Sequence, residues 1–189
     1  MYVKDGRRLM NQYAQMIRLL KTPDVMKRLT HLYGQRDGVL LQQTARYTHM
    51  LKKHEEVFNA SGPVMMISAP GRTEIGGNHT DHNRGKVLAA AINLDTLAAV
   101  NKRTDRTVHI FSDGYEPLEM SLNDLVMNEA EKGTTKALVR GVAKKLQDEG
   151  FVIGGFDAAV TSTVRSGSGL SSSAAFEVLI CAIFDSLFN

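Results

Sequence analysis

The apolar residues of the first sixty positions recur at the spacing of amphipathic helices. One helix face is expected to carry Leu9, Tyr13, Met16, Ile17 and Leu20, which recur every three or four residues. A second helix is expected to begin at the sequence TPD, where Thr22 can cap it and a proline follows, and to end at Gly34. A third is expected around residues 40–51. The pattern predicts a helical segment over residues 1–60.

The pattern changes after the turn-forming sequence NASGP at residues 59–63. Short strands are expected at residues 64–67, 86–92, 96–101, 107–111 and 156–162, with one more after the turn SDGYEP. Helical spacing of apolar residues returns at residues 136–146 and again at 174–183. This mixture of helices and strands predicts an α+β domain over residues 61–189.

Composition fits a globular chain rather than a disordered one. Of the 189 residues, 43% are hydrophobic and 23% are charged. A single cysteine excludes an internal disulfide and is typical of a reducing compartment. No secretory signal begins the chain, and no apolar run approaches the roughly 20 residues of a membrane span. We therefore expect a cytoplasmic protein with no membrane partner.

The charge is unevenly distributed along the chain. Residues 1–60 carry a net charge of +6 and residues 61–189 a net charge of −3, within a total of +3. A basic segment can bind nucleic acid, but the basic residues here are spread out, with no interleaved aromatic residues. We interpret this segment as a solvated helical surface and expect no nucleic-acid partner.

The sequence SGSGLSSSAA at residues 166–175 lies between a predicted strand and a predicted helix. Glycines let a backbone approach a ligand, serine hydroxyls donate hydrogen bonds, and a helix N-terminus carries partial positive charge. Together they favour a phosphate site, although an ordinary helix cap also uses serine. The lysine of a P-loop and the third glycine of a dinucleotide fingerprint are both missing.

A second polar stretch, SAPGRTEIGGNHTDHN at residues 68–83, is interrupted by glycines. We expect Arg72, His79 and Asp81 to lie in an irregular loop, where functional side chains are common. Asp and Asn side chains suit directed bonds to sugar hydroxyls, and Arg72 could hold a phosphoryl oxygen or a carboxylate. His79 could equally be a hydrogen-bonded turn residue.

Together the two stretches resemble the GHMP kinases, the family of galactokinase, homoserine kinase, mevalonate kinase and phosphomevalonate kinase. The sequence APGRTEIGGNHTDHNRGKVLAAAI resembles the galactokinase signature, and SGSGLSSSAAFEV resembles the family's ATP-binding motif. The resemblance covers about residues 64–187 and leaves residues 1–60 outside. It implies the family's α+β N-terminal domain, which is similar to domain 2 of ribosomal protein S5, preceded here by a helical segment. It also implies transfer of a phosphoryl group from MgATP to the anomeric hydroxyl of galactose.

The resemblance implies roles for four residues of the first stretch. Arg72 corresponds to an active-site arginine near the transferred phosphoryl group. Asn78, His79 and Asp81 correspond to residues of the sugar pocket. Asn78 stands where the family has glutamate, so the sugar could be galactose or a related hexose.

The resemblance also implies a nucleotide site in the second stretch. Gly167, Gly169, Ser171 and Ser172 correspond to the loop around the ATP phosphates. Ser173 corresponds to the serine that binds magnesium. ATP and Mg²⁺ are therefore the expected cofactors.

In the family, the catalytic aspartate and a second domain follow the position where this sequence ends, at Asn189. We therefore expect the N-terminal half of a kinase, without useful kinase activity by itself. Its partner is expected to be the missing C-terminal domain, or a second copy bound through the exposed face. Two alternatives stay open: a non-catalytic regulator that binds sugar or nucleotide, and an interaction arm formed by residues 1–60.

Overall fold

The computed structural model describes residues 3–4, 7–8, 12–77, 80, 83–165, 167 and 169–189. Two short strands, β1 (Val3–Lys4) and β2 (Arg7–Arg8), pair in antiparallel fashion. Three helices follow: α1 (Gln12–Leu19), α2 (Pro23–Tyr33) and α3 (Val39–Phe58). Proline begins α2 and Gly34 ends it with a positive φ of 87°, as the sequence predicted.

A five-stranded mixed sheet forms the centre of the remaining chain. Its strands are β3 (Val64–Gly76), β4 (Leu88–Lys102), β5 (Thr107–Ser112), β6 (Leu118–Ser121) and β7 (Phe156–Ser162), in the order β3-β4-β7-β5-β6. The β5–β7 pairing is parallel, and the pairings β3–β4, β4–β7 and β5–β6 are antiparallel. Two helices complete the fold, α4 (Thr135–Asp148) and α5 (Ser172–Phe188). The predicted α+β class is confirmed.

Two strand predictions need correction. The sequence predicted a strand at residues 64–67 and an irregular loop around Arg72, but β3 continues through Arg72 to Gly76. It predicted separate strands at residues 86–92 and 96–101, but β4 is continuous over both. The two strands extend each other by pairing. Their antiparallel ladder gives hydrogen-bond partners to backbone groups in the polar and glycine-containing part of β3, where the side chains alone do not indicate a strand.

Helices cover both faces of the sheet. On one face, α4 and α5 pack against Ala98 and Val100 of β4 in a core that includes Phe156 and Phe184. On the other face, α1–α3 form a second core that includes Leu97 and Ala99. Successive strand residues point to opposite faces, so residues 95–101 of β4 are all buried. The division into residues 1–60 and 61–189 stays a prediction, although the helical segment shares a core with the sheet.

No helix in the described part of the chain is long and apolar enough to cross a lipid bilayer. The most apolar helix, α5, has 17 residues and is built into the core through Leu179, Ile180, Ile183 and Phe184. The free thiol of Cys181 on this helix is partly buried, and burial raises its pKa.

Candidate functional site

The two polar stretches meet in the folded chain. Arg72 lies on β3, and its Nε donates a hydrogen bond to Oγ of Ser171, 3.1 Å away, immediately before α5. The main-chain N–H of Arg72 also donates to the carbonyl oxygen of Leu170, at 3.2 Å. The fold therefore brings together two predicted site residues that are 99 positions apart in sequence.

A bulge in β3 makes this approach possible. The pairing register with β4 shifts between Pro70 and Arg72, so Gly71 lies at the irregularity. A Cβ on Gly71 would lie 3.0 Å from Cγ2 of Val164 and 3.1 Å from the carbonyl oxygen of Leu170. Glycine is needed here because the strand contacts the Gly/Ser loop directly.

The loop before α5 has a strongly non-extended backbone. Gly167 and Gly169 each have a φ of 74°, and Ser171 has a φ of 58°, all in the left-handed region. Serine rarely adopts this conformation, and such strain is concentrated at functional sites. The predicted order of strand, Gly/Ser loop and helix is confirmed by β7, the described residues between 163 and 171, and α5.

Ser171 does not act as an ordinary helix cap. Among the described residues, its side chain makes no capping bond to α5. Its hydroxyl instead accepts the bond from Arg72. The first-turn N–H groups of α5 are therefore not capped by Ser171, and they lie at the positive end of the helix.

Ser172 and Ser173 line a cleft of about 360 Å³. The cleft is also lined by Thr134 and Thr135, so the N-termini of α4 and α5 open onto the same space. Two helix N-termini facing one cleft favour an anionic ligand more strongly than one. The cleft has an apolar side as well, which includes Phe176.

Sequence reasoning missed part of this cleft. The end of β5 and the turn to β6 contribute Ser112, Asp113, Tyr115 and Glu116 to its lining. The sequence SDGYEP marked this turn but gave no indication of which helices it would face. The N-terminus of α4 had a usable signal, because Thr134 caps it by accepting a bond from the N–H of Ala137 at 3.2 Å.

Asn78, His79 and Asp81, which were predicted for the sugar pocket, lie outside the described residues. They belong to the connection between β3 and β4, which begins directly after the strand that carries Arg72. Thr80 helps to close this connection, since its hydroxyl donates to the carbonyl of Gly77 at 2.8 Å. Its carbonyl accepts from the N–H of Gly85, also at 2.8 Å.

Comparison with known families gives two matches along the chain. Residues 52–102 match the galactokinase galactose-binding signature, and residues 137–189 match the N-terminal domain of the GHMP kinases. The chain therefore carries two family signatures, one of the galactokinases and one of the GHMP kinases. The resemblance drawn from residues 64–187 is therefore confirmed, and α1, α2 and the first part of α3 lie outside both matches.

Several galactokinases are similar to this chain. The chain is 35% identical to a galactokinase of Clostridium tetani over 139 residues, which are 74% of this chain and 35% of that protein. It is 29% identical to the crystal structure of Lactococcus lactis galactokinase complexed with galactose, with a TM-score of 0.67, covering 76% of this chain and 37% of that one. The chain spans about a third of the length of the curated relatives it matches.

A more distant structure shows the fold alone. The mevalonate kinase of Methanococcus jannaschii is 18% identical and superimposes with a TM-score of 0.53, covering 67% of this chain and 41% of that one. The expected fold, a GHMP-kinase N-terminal domain preceded by helices, is confirmed.

Proposed function

We propose that this chain supplies the phosphate-binding loop and the sugar-binding residues of a galactokinase-type phosphotransferase. The reaction moves the γ-phosphoryl group of ATP to the anomeric hydroxyl of galactose and leaves ADP. The observation that supports it best is the contact between Arg72 and Ser171, which joins a galactokinase signature to a phosphate-type loop.

The nucleotide half of the proposal assigns the ATP phosphates to the loop and the start of α5. Gly167 and Gly169 would let the backbone approach the phosphates, and the first-turn N–H groups would donate to their oxygens. The cleft of about 360 Å³ beside Ser172 and Ser173 has a size typical of small-molecule sites. The residues present therefore fit a nucleotide.

Ser173 would bind the magnesium ion through its hydroxyl, which is exposed at the first turn of α5. Bound magnesium would neutralise charge on the phosphate oxygens. The acidic residues Asp113 and Glu116 also line this cleft, and Oδ2 of Asp113 lies 3.5 Å from Nε2 of His49. Carboxylate oxygens are ligands that magnesium accepts, so a cation could bind in the same cleft as the phosphates.

Arg72 would hold a permanent positive charge beside the transferred group, where it favours the charge that develops there. Asn78, His79 and Asp81 would bind the sugar hydroxyls, and Asn78 offers a neutral amide for that purpose. Catalysis of this kind depends on positioning and charge stabilisation. That the 189-residue chain alone lacks useful kinase activity stays a prediction, as does its cytoplasmic location.

Binding to the purified 189-residue chain tests the nucleotide half of the proposal. A fluorescent ATP analogue is titrated with and without magnesium, using Ser173→Ala and Ser186→Ala as a matched pair on α5. Because Ser173→Ala loses a magnesium contact, its affinity for the analogue is expected to fall about tenfold when magnesium is present and to change little when magnesium is absent. Ser186→Ala, near the other end of the helix, is expected to bind as the parent chain does.

Calorimetric titration of galactose and other hexoses tests the sugar half. The affinity for galactose is expected to fall at least about tenfold in Asp81→Ala, because a directed hydrogen bond to a charged group is lost.

The role of Arg72 is tested by the binding of the fluorescent ATP analogue to Arg72→Met. The control is Arg18→Met on α1, which removes an exposed arginine far from both motifs in sequence. Equal loss of nucleotide binding in both arginine variants would contradict the assigned role of Arg72.

A further inference from the structure

A buried carboxylate connects the N-terminal helices to the sheet. Asp95 of β4 is 3% exposed, and its Oδ2 accepts a hydrogen bond from the hydroxyl of Tyr33 at 2.6 Å. Nη1 of Arg46 donates to its Oδ1 at 2.5 Å, and the hydroxyl of Ser68 also donates to Oδ2. The carboxylate thus accepts hydrogen bonds from one residue each of α2, α3 and β3, and Arg46 supplies the opposite charge.

The helices also hold the end of β7. Nη2 of Arg46 donates to the carbonyl oxygen of Asp95 at 3.1 Å and to that of Thr161 at 3.4 Å. The main-chain oxygen of Asp95 accepts from both the N–H and the hydroxyl of Thr163, at 2.9 and 3.1 Å. Arg46 therefore spans two adjacent strands at the point where the Gly/Ser loop begins.

The contacts continue from Thr163 to the loop itself. Val164, 3% exposed, packs within reach of the bulge at Gly71, and Gly71 also faces the carbonyl of Leu170. The adjacent Arg72 bonds Leu170 and Ser171. A continuous path of hydrogen bonds and close packing thus leads from α2 and α3 to the first residue before α5.

The hydrogen bonds around Asp95 are not needed merely to hold α2 and α3 against the sheet. Buried ion pairs contribute little net stability compared with apolar packing, and the second core already joins α1–α3 to the sheet. What directed bonds add is a fixed position for the groups they join. Burial, together with the bond to Asp95, raises the pKa of Tyr33, so its hydroxyl stays protonated and donates.

We propose that Tyr33 and Arg46 are positioning residues of the nucleotide site, and that they act through Asp95 and Thr163 to fix the Gly/Ser loop. Helix α2 and the part of α3 that carries Arg46 lie outside the residues that match the kinase family, so the supporting structure of the site extends beyond them. The loop-fixing part is independent of ligand. The effect on nucleotide affinity rests on the proposed function.

Two matched pairs of variants in the 189-residue chain test this. Tyr33→Phe removes the hydroxyl on Asp95, and Tyr13→Phe makes the same change in the same core, where the Tyr13 hydroxyl bonds His54 instead. Arg46→Met removes the bridge to β7, and Arg103→Met removes a different bridge, to Asp157. The first measurement is amide hydrogen exchange by mass spectrometry in the peptide covering residues 162–171.

Amide hydrogen exchange in the loop peptide is expected to be about tenfold faster in Arg46→Met than in the parent chain. In Tyr33→Phe the exchange is also expected to be faster, but by a smaller factor. The controls are expected to lower the melting temperature while leaving loop exchange unchanged. Loop exchange equal to that of the parent in Arg46→Met, or raised as much in Arg103→Met, would overturn the proposal. If Arg46→Met does not fold by circular dichroism, Tyr33→Phe against Tyr13→Phe decides in the same way.

The second measurement is the affinity for a fluorescent ATP analogue under conditions where each variant is folded. The two positioning variants are expected to bind at least about threefold more weakly, and the two controls as the parent does. Unchanged affinity despite faster loop exchange would overturn the link to the nucleotide. If the parent chain itself binds no analogue, the proposed function fails, and hydrogen exchange still decides whether the helices fix the loop.

Discussion

Replacing Gly71 with alanine perturbs the contact between β3 and the Gly/Ser loop directly. The added Cβ would meet Cγ2 and Cγ1 of Val164 at 3.0 and 3.2 Å, and the carbonyl oxygen of Leu170 at 3.1 Å. Ordinary van der Waals contacts of a Cβ lie at 3.4–4 Å, so these three atoms, which belong to two residues, must move by a few tenths of an ångström. One of them is main chain, and Val164 is buried, so neither can turn into solvent.

The magnitude follows from two opposing effects. Overpacking a well-packed site costs about 1–3 kcal/mol of unfolding free energy. Alanine in place of glycine restores about 0.4–1 kcal/mol, because the unfolded chain has less conformational freedom to lose. A net loss of about 1.3 kcal/mol is expected at the middle of these ranges, and of about 2.6 kcal/mol at most. In a chain of this size each kcal/mol shifts the melting temperature by about 2–4 °C.

The matched control is Gly141→Ala in α4. A Cβ at Gly141 would have nothing within 4 Å, and the position lies inside a helix. The same chemical change there is expected to stabilise the chain by up to about 1 kcal/mol. Differential scanning calorimetry and urea denaturation measure both variants, and the two shifts in melting temperature are expected to have opposite signs.

Binding of a fluorescent ATP analogue adds a second measurement for Gly71→Ala. The displaced carbonyl of Leu170 lies next to Ser171, so weaker nucleotide binding is expected even where the variant is fully folded. Gly141→Ala is expected to bind normally. A melting temperature of Gly71→Ala equal to or above that of the parent would refute the close contact between strand and loop, and with it the geometry of the site.

Three further predictions concern stability. Gly155→Ala is expected to prevent folding, because its Cβ would lie 2.5 and 2.6 Å from the main-chain oxygens of Asp105 and Thr107. Soluble yield and circular dichroism test this prediction, and a normally folded variant would contradict it. Phe156→Ala, at a fully buried site, is expected to lower the unfolding free energy by about 3–5 kcal/mol in urea denaturation, and a loss under 1 kcal/mol would be inconsistent with its burial. Burial lowers the pKa of His54 below its unfolded value, so unfolding releases no proton above about pH 6.5 but takes one up below it. The free energy of unfolding is therefore expected to fall as pH drops below about 6.5 toward the folded pKa of His54. If the melting temperature of His54→Gln depends on pH as steeply as that of the parent chain, the effect belongs to another group.

The sequence by itself determined the helical segment, the α+β class and the strand–loop–helix unit before α5. Each depends on local signals, such as the proline after Thr22, Gly34 at the end of α2, and apolar spacing on α5. The two motifs also identified the family, because they combine residue types and order that local structure alone does not require.

Only the tertiary structure decided that Arg72 lies on a strand and contacts Ser171. Strand pairing is a long-range interaction, and β3 extends through polar residues because β4 supplies its hydrogen-bond partners. The same reason explains why the cleft beside α4 and the path through Asp95 could not be predicted. Both are made of residues far apart in sequence, and only packing of helices on two faces of one sheet brings them together.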